Sequence, residues 1–211
     1  MRASPPHRDA DATRQRLLRA AIELFTAQGF RATTTPLIAA RAQLAEGTIY
    51  RHFRGKDVLF NETRRRSVEW ATGVVRDLSA ERQPPRETLT RIGRRLAEGA
   101  QRDAAVVRMA LAAPNDGPAP DEACRLAVQA FRGALELIVA GGKSDGVIRP
   151  GPAELWCGIW LAVVRYCTER VAAGEWAPDH PQVTLTLDAA WDAIAARATA
   201  ASPESTSAPP G

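Results

Sequence analysis

Histidine is scarce in this 211-residue chain, and the three present, His7, His52 and His180, stand far apart. No nucleophile–base pair and no metal-ligand spacing can be assembled around them. No catalytic residue, metal or cofactor is therefore expected, and His180, between Asp179 and Pro181, reads as loop. Cysteine is equally scarce. Cys124, Cys157 and Cys167 form no CxxC pair and lie in apolar surroundings, which fits core packing in a reducing compartment. The opening MRASPPHRDADA has no apolar stretch and does not read as a secretory signal. The longest apolar run, residues 158–164, is far shorter than the roughly 20 residues that span a bilayer. The expectation is a cytoplasmic protein without a membrane partner.

Charge is present but unevenly placed. The formal net charge is +4. Residues 1–66 carry 13 Lys/Arg against 6 Asp/Glu, whereas residues 67–211 carry 15 against 18. A basic first third beside a mildly acidic remainder points to a polyanion meeting the first third. From charge alone, a solvated charged surface is the better fit.

The stretch TTTPLIAARAQLAEGTIYRHFRGK, residues 33–56, gives that charge a shape. Thr35 is predicted to cap a helix over residues 36–42, with Pro36 at a first-turn position where a missing N–H costs nothing. Leu37, Ile38 and Ala39 are available for burial. Gln43-Leu44-Ala45 makes a corner. A second helix over residues 46–53 would place Ile49 and Phe53 on one apolar face. Glu46, Thr48, Tyr50, Arg51 and His52 are left for the others. That is the pattern of a helix-turn-helix, whose second helix packs inward and presents donors to a DNA groove. A helix over residues 13–28, with Leu17, Leu18, Ala21, Ile22, Leu24 and Phe25 at helical spacing and Gly29 as its stop, would complete a three-helix unit.

The runs Gly29-Phe30, Ala32-Thr33-Thr34, Ile38-Ala39, Gly47-Thr48-Ile49-Tyr50-Arg51-His52-Phe53 and Lys56-Asp57-Val58-Leu59 resemble the tetracycline-repressor (TetR) family of transcriptional regulators. The resemblance covers roughly residues 12 to 62. It implies a ligand-responsive repressor that binds a palindromic operator in double-stranded DNA. It also implies a homodimer through the last two helices and an unknown small-molecule effector. By resemblance, Tyr50, His52 and Lys56 look like phosphate contacts, Thr48 a backbone or base contact, and Arg51 either. Thr34 and Thr35 could hold a phosphate at a helix start, cap the helix, or do both. Three positions depart from the family pattern. Gln43 stands where Gly is usual, at a corner where a left-handed residue costs about 1–2 kcal/mol. Ala45 replaces a Ser or Thr cap, a loss of about 1 kcal/mol. Glu46 replaces Lys or Arg; its carboxylate repels phosphate but could accept from a cytosine amino group.

The fold expected is all-α. Residues 1–11 and 200–211 are expected to be disordered, with Arg2, His7 and Arg8 available as a basic arm. Residues 12–60 would form the helix-turn-helix domain and 61–199 the ligand-binding and dimerisation domain. A long helix from Lys56 to about Ser79 should link the two, with Arg64-Arg65-Arg66 on a solvated face. Five helices follow, over residues 86–101, 103–113, 120–140 stopped by Gly141-Gly142, 152–174, and 182–198. The last begins in QVTLTL, which alternates like a strand but is assigned to helix. The 152–174 helix is apolar nearly all round and should meet both the core and a second subunit. Trp70, Arg108, Met109, Phe131, Trp160 and Tyr166 are the candidate ligand-binding residues, each also readable as core. Two other readings remain: a ligand-binding helical protein whose DNA binding is lost through residues 43, 45 and 46, and an all-helical enzyme.

Overall fold

The computed structural model describes residues 6–113 and 116–197. Among them are helices α1 (Pro6–Ala32), α2 (Thr35–Arg41), α3 (Gly47–His52), α4 (Lys56–Ala80) and α5 (Pro85–Arg102), then α6 (Ala104–Ala110), α7 (Glu122–Ser144), α8 (Ala153–Ala172) and α9 (Pro181–Asp192). The all-α expectation holds; a single bridge between Ile148 and Ala195 is the extent of extended pairing among the described residues.

α1 begins at Pro6, so residues 6–11, expected to be disordered, are helical. A proline is tolerated in a first turn, and the run that follows contains nothing to break a helix. Residues 1–5, including Arg2, lie outside the described residues, as does the tail 200–211. The break expected at Gly29 is present: its φ of 82° interrupts the helical path before the short turn to Ala32.

Two apolar cores result. The first gathers Leu17, Leu18, Ala21, Ile22 and Phe25 of α1, Ile38 and Ala39 of α2, Ile49 of α3, and Leu59 and Phe60 of α4. Phe60 packs edge-on against Phe25 and Phe30, with ring centroids 5.1 and 5.2 Å away. The second joins Val68, Ala71 and Val75 of α4 to Leu89, Ile92 and Leu96 of α5, and to buried residues of α6 to α9. α4 enters both cores. So does α6, whose Met109 sits in the first while Val107 and Ala110 sit in the second. The side chain of Asp103, which caps α6 by accepting from the Val106 N–H, also receives Arg19 of α1. α6 is thereby fixed to the first core by packing and by charge.

The expected solvated triplet Arg64-Arg65-Arg66 divides instead. Successive helical residues point about 100° apart, so the three cannot share a face. Arg64 is buried and donates to the Ala112 and Ala113 carbonyls. Arg65 and Arg66 pair with Glu62, which also takes Arg14 of α1. Burial by itself would raise the Glu62 pKa, but hydrogen bonds from Arg65, Arg66 and Arg14 outweigh it and hold the carboxyl down at about 2. A carboxylate depressed on folding stabilises above its unfolded pKa and loses that contribution as pH falls through its folded one. Acid unfolding should therefore steepen between roughly pH 4.5 and pH 2. E62Q should flatten that part of the stability curve followed by circular dichroism; an unchanged acid limb would contradict the assignment.

α7 runs through Gly141-Gly142 to Ser144 rather than stopping there. Gly142 is present for closeness: a Cβ there would lie 2.6 Å from Ile148 and 3.3 Å from Pro85. The turn expected at residues 146–150 follows, with Gly146 at φ 71°. QVTLTL is helical, as assigned, but α9 ends at Asp192 instead of residue 198. The chain there turns back, and Arg149 N–H donates to the Ile194 carbonyl while Ala196 N–H donates to that of Val147. His180 is no plain loop residue; its Nδ1 caps α9 by accepting from the Gln182 N–H. All three cysteines are core residues. Burial pushes the Cys124 thiol up, that of Cys157 to about 12 and that of Cys167 to about 11, so none is poised as a thiolate. No helix among the described residues is long and apolar enough to cross a membrane.

Candidate nucleic-acid interface

α2 is capped by Thr34, not Thr35: the Thr34 hydroxyl accepts from the Leu37 N–H at 3.5 Å, and its backbone is extended. Pro36 therefore occupies the second helical position. Thr35 is released for another contact, and its hydroxyl lies 3.2 Å from the Tyr50 phenol. That bond ties the start of α2 to the exposed side of α3, so the two form one continuous surface. Thr33 is buried and donates to the Gly29 carbonyl. Of the three residues expected to be available for burial, Ile38 and Ala39 are buried and Leu37 is exposed.

The corner has the geometry that glycine usually supplies. Gln43 adopts φ 54°, the left-handed region. Arg16 of α1 donates to the Ala42 and Gln43 carbonyls at 2.6 and 3.1 Å, which clamps the corner from behind. The left-handed penalty for a residue with a Cβ is about 1–2 kcal/mol, and glycine's extra unfolded-state entropy returns roughly 0.5–1 kcal/mol of it. Q43G should therefore raise stability slightly, by about 0.5–1 kcal/mol. Urea denaturation reads this out; a fall in midpoint would mean that the glutamine side chain makes a compensating contact.

α3 is short, six residues; its N-cap is Glu46 rather than the expected Ala45, and no side chain caps its first turn. Its orientation is fixed by burial. Ile49 and Phe53 enter the first core at 0% and 3% exposure. Tyr50 is 57% exposed, Glu46 and Arg51 are exposed, and Thr48 and His52 are half-buried. Five of the predicted contact residues, Glu46, Thr48, Tyr50, Arg51 and His52, thus stand off the buried face of one short helix.

Lys56 is placed differently from the expected free clamp. Its ammonium donates to the Phe30 and Thr33 carbonyls at 2.9 Å each and lies 4.1 Å above the Phe30 ring. Two of its three protons fasten the start of α4 to the break after α1, leaving one for another acceptor. Two cations went unnoticed in the sequence. Arg54 at the α3–α4 junction and Arg31 in the last turn of α1 are exposed and form no ion pair among the described residues. Arg54 lies inside the quoted motif, between Phe53 and Lys56, and its position was signal enough. Arg41, by contrast, is engaged by Glu23.

The six candidate ligand residues do not converge. Arg108 and Met109 line a cavity of about 660 Å³ between α1, α4, α6 and α8. Phe131 lines a second, of about 280 Å³. Trp70 borders a shallow groove against α1. Trp160 is 2% exposed in the core, and Tyr166 is 53% exposed, edge-on to Trp176. Arg108 is also paired with Glu169 at 2.9 Å. Aromatic identity did not report depth, and the six candidates are spread over separate cavities, a groove, the core and the surface.

Residues 17–63 match the family model for bacterial regulatory proteins of the tetR family. The chain is 46% identical over 48 residues to the HTH-type transcriptional regulator SrpR of Pseudomonas putida, covering 23% of this chain and 22% of that protein. It is 32% identical over 77 residues to the HTH-type transcriptional repressor KstR2 of Mycolicibacterium smegmatis, covering 36% and 38%. These matches span only about a fifth to two fifths of the curated relatives. The whole architecture is similar to a TetR family transcription regulator from Marinobacter aquaeolei, with a TM-score of 0.76, 23% identity, and coverage of 92% of this chain and 100% of that one. The matched segment falls on α1 to α4, so that part of the chain is similar to bacterial regulatory proteins of the tetR family, and the helices beyond it follow the fold of the Marinobacter aquaeolei structure.

Proposed function

We propose that the protein is a DNA-binding transcriptional regulator, a ligand-responsive repressor acting as a homodimer on a palindromic operator. The observation that carries the reading is α3 itself: Ile49 and Phe53 anchor it while Thr48, Tyr50, Arg51 and His52 face away from the core. Seated in a major groove, Tyr50 and His52 reach phosphates, Arg51 and Thr48 reach phosphate or base edges, and Glu46 accepts from a cytosine amino group. Thr34 and Thr35 approach the neighbouring phosphate. Lys56 has one proton left for that backbone, and Arg31 and Arg54 add charge at the flanks. The intact corner at Gln43 favours this over a protein whose DNA binding is lost.

The dimer forms through α8 and α9, where Leu155, Tyr166 and Leu185 are 50%, 53% and 59% exposed. Two such copies place their α3 helices about 34–36 Å apart, one helical turn of the operator. An effector in the body acts through the helices that enter both cores. A shift of α6 moves Met109 within the first core, and α4 carries the displacement to α3. DNA and effector then oppose each other reciprocally, with a coupling of about 1–3 kcal/mol. The test is a gel-shift titration on the intergenic DNA beside the chain's own gene. The proposal requires a preference for that DNA and an affinity that falls steeply with salt, by about 0.9 log units per log unit of salt for each phosphate engaged. A salt-independent affinity, or no preference, would overturn it.

A further inference from the structure

Arg64 projects from α4 into the body and is only 6% exposed. Its Nε is shielded from solvent and has no hydrogen-bond partner. Its Nη2 donates to the Ala112 and Ala113 carbonyls at 3.3 and 3.5 Å, the long end of hydrogen bonding. It forms no ion pair among the described residues. A buried cation without a carboxylate is costly, and a buried donor without an acceptor calls for an explanation.

The surroundings supply one. Arg64 lines the cavity of about 280 Å³ between α4, α6, α7 and α8. Val68, Phe131 and Leu161 form apolar wall, while Arg132 and Arg165 are the other charged residues lining it. No aspartate or glutamate lines it. The closest acid to Arg132 is Glu154, exposed and 4.0 Å away, and Arg165 has no ion pair among the described residues. The cavity is thus apolar in its walls, cationic in its polar groups, and sized for a small molecule.

We propose that this cavity is the effector site and that the effector is a small apolar carboxylate. The carboxylate takes the unpaired edge of the Arg64 guanidinium, whose planar fork matches it in geometry and charge. The tail packs on Val68, Phe131 and Leu161, and Arg132 and Arg165 add attraction on entry. This assignment rests on the effector-responsive reading above and gives it a switch. Arg64 belongs to the helix that starts beside α3, and its present acceptors follow directly on α6. A carboxylate draws the guanidinium from those two carbonyls, loosening α4 from the end of α6.

Isothermal titration of the full chain tests the proposal with benzoate and hexanoate against benzamide and hexanamide, which keep the tail and remove the charge. Both carboxylates should bind at least about tenfold more tightly than their amides. In R64M that preference should vanish, with circular dichroism confirming the fold. R64K, which keeps the charge on a folded background, should bind both carboxylates severalfold more weakly than the parent, because the fork is lost. Equal binding of acid and amide would overturn the proposal. So would a preference that survives R64M, or no carboxylate binding up to about 10 mM. Titrating the same carboxylates into the complex of unaltered protein with its upstream DNA separates the two readings. Carboxylate binding by a protein that never bound DNA would leave the cavity assignment standing and remove the regulator reading.

Discussion

Replacing Tyr50 and Arg51 together by alanine is expected to lower affinity for the operator duplex on the order of 100-fold, from about 1–3 kcal/mol per lost contact. Both side chains are exposed, so the fold has little to lose. Among the described residues Tyr50 makes one side-chain hydrogen bond, with Thr35, and Arg51 forms no ion pair. The thermal transition should stay within a few degrees of the parent, consistent with substitutions on a solvated face. Fluorescence anisotropy on a labelled duplex measures the loss directly. A double variant that binds as the parent does would show that α3 does not face DNA.

The second large effect is on stability. Phe60 is 2% exposed and meets Phe25 and Phe30 edge-on at about the spacing aromatic rings favour. It also fills the space beside Gly117, where even a Cβ would approach its ring to 2.3 Å. Truncation to alanine empties the junction of α1, α4 and the segment after α6. A buried Phe→Ala change costs about 3–5 kcal/mol. In a chain of this length each kcal/mol moves the melting temperature by about 2–4 °C, so F60A should melt roughly 10 °C lower. Calorimetry decides, and a shift below about 3 °C would mean that the site collapses around the missing ring.

The sequence was most informative where a local rule and a packing requirement agreed. Ile49 and Phe53 are one turn apart with polar residues between them, and no other rotation of α3 buries both. Lys56 to about Ser79 reads as one helix because nothing in it interrupts, and the helix observed ends at Ala80. Where a side chain's placement is set by packing and not by residue type, the local rule misled. Gly141-Gly142 reads as a stop, yet α7 continues through both to Ser144, with Ile148 and Pro85 close against Gly142. Arg64, Arg65 and Arg66 read as one charged patch, yet rotation along α4 sends the first inward and leaves the others to Glu62. The cap fell one residue early, at Thr34, because the first extended residue before a helix decides the cap and three consecutive threonines do not reveal which that is. Candidate pocket residues chosen for ring or charge scattered for the same reason: depth is a property of the whole fold, and Trp160 and Tyr166 differ in it completely.

The central claim is that two copies of α3 lie in successive major grooves on one face of a duplex. Hydroxyl-radical footprinting on the upstream palindrome tests it most directly. The account predicts two protected segments related by the dyad, centred about 10 base pairs apart, both lost in the Tyr50/Arg51 double variant. A single protected segment, or an identical footprint from that variant, would contradict it.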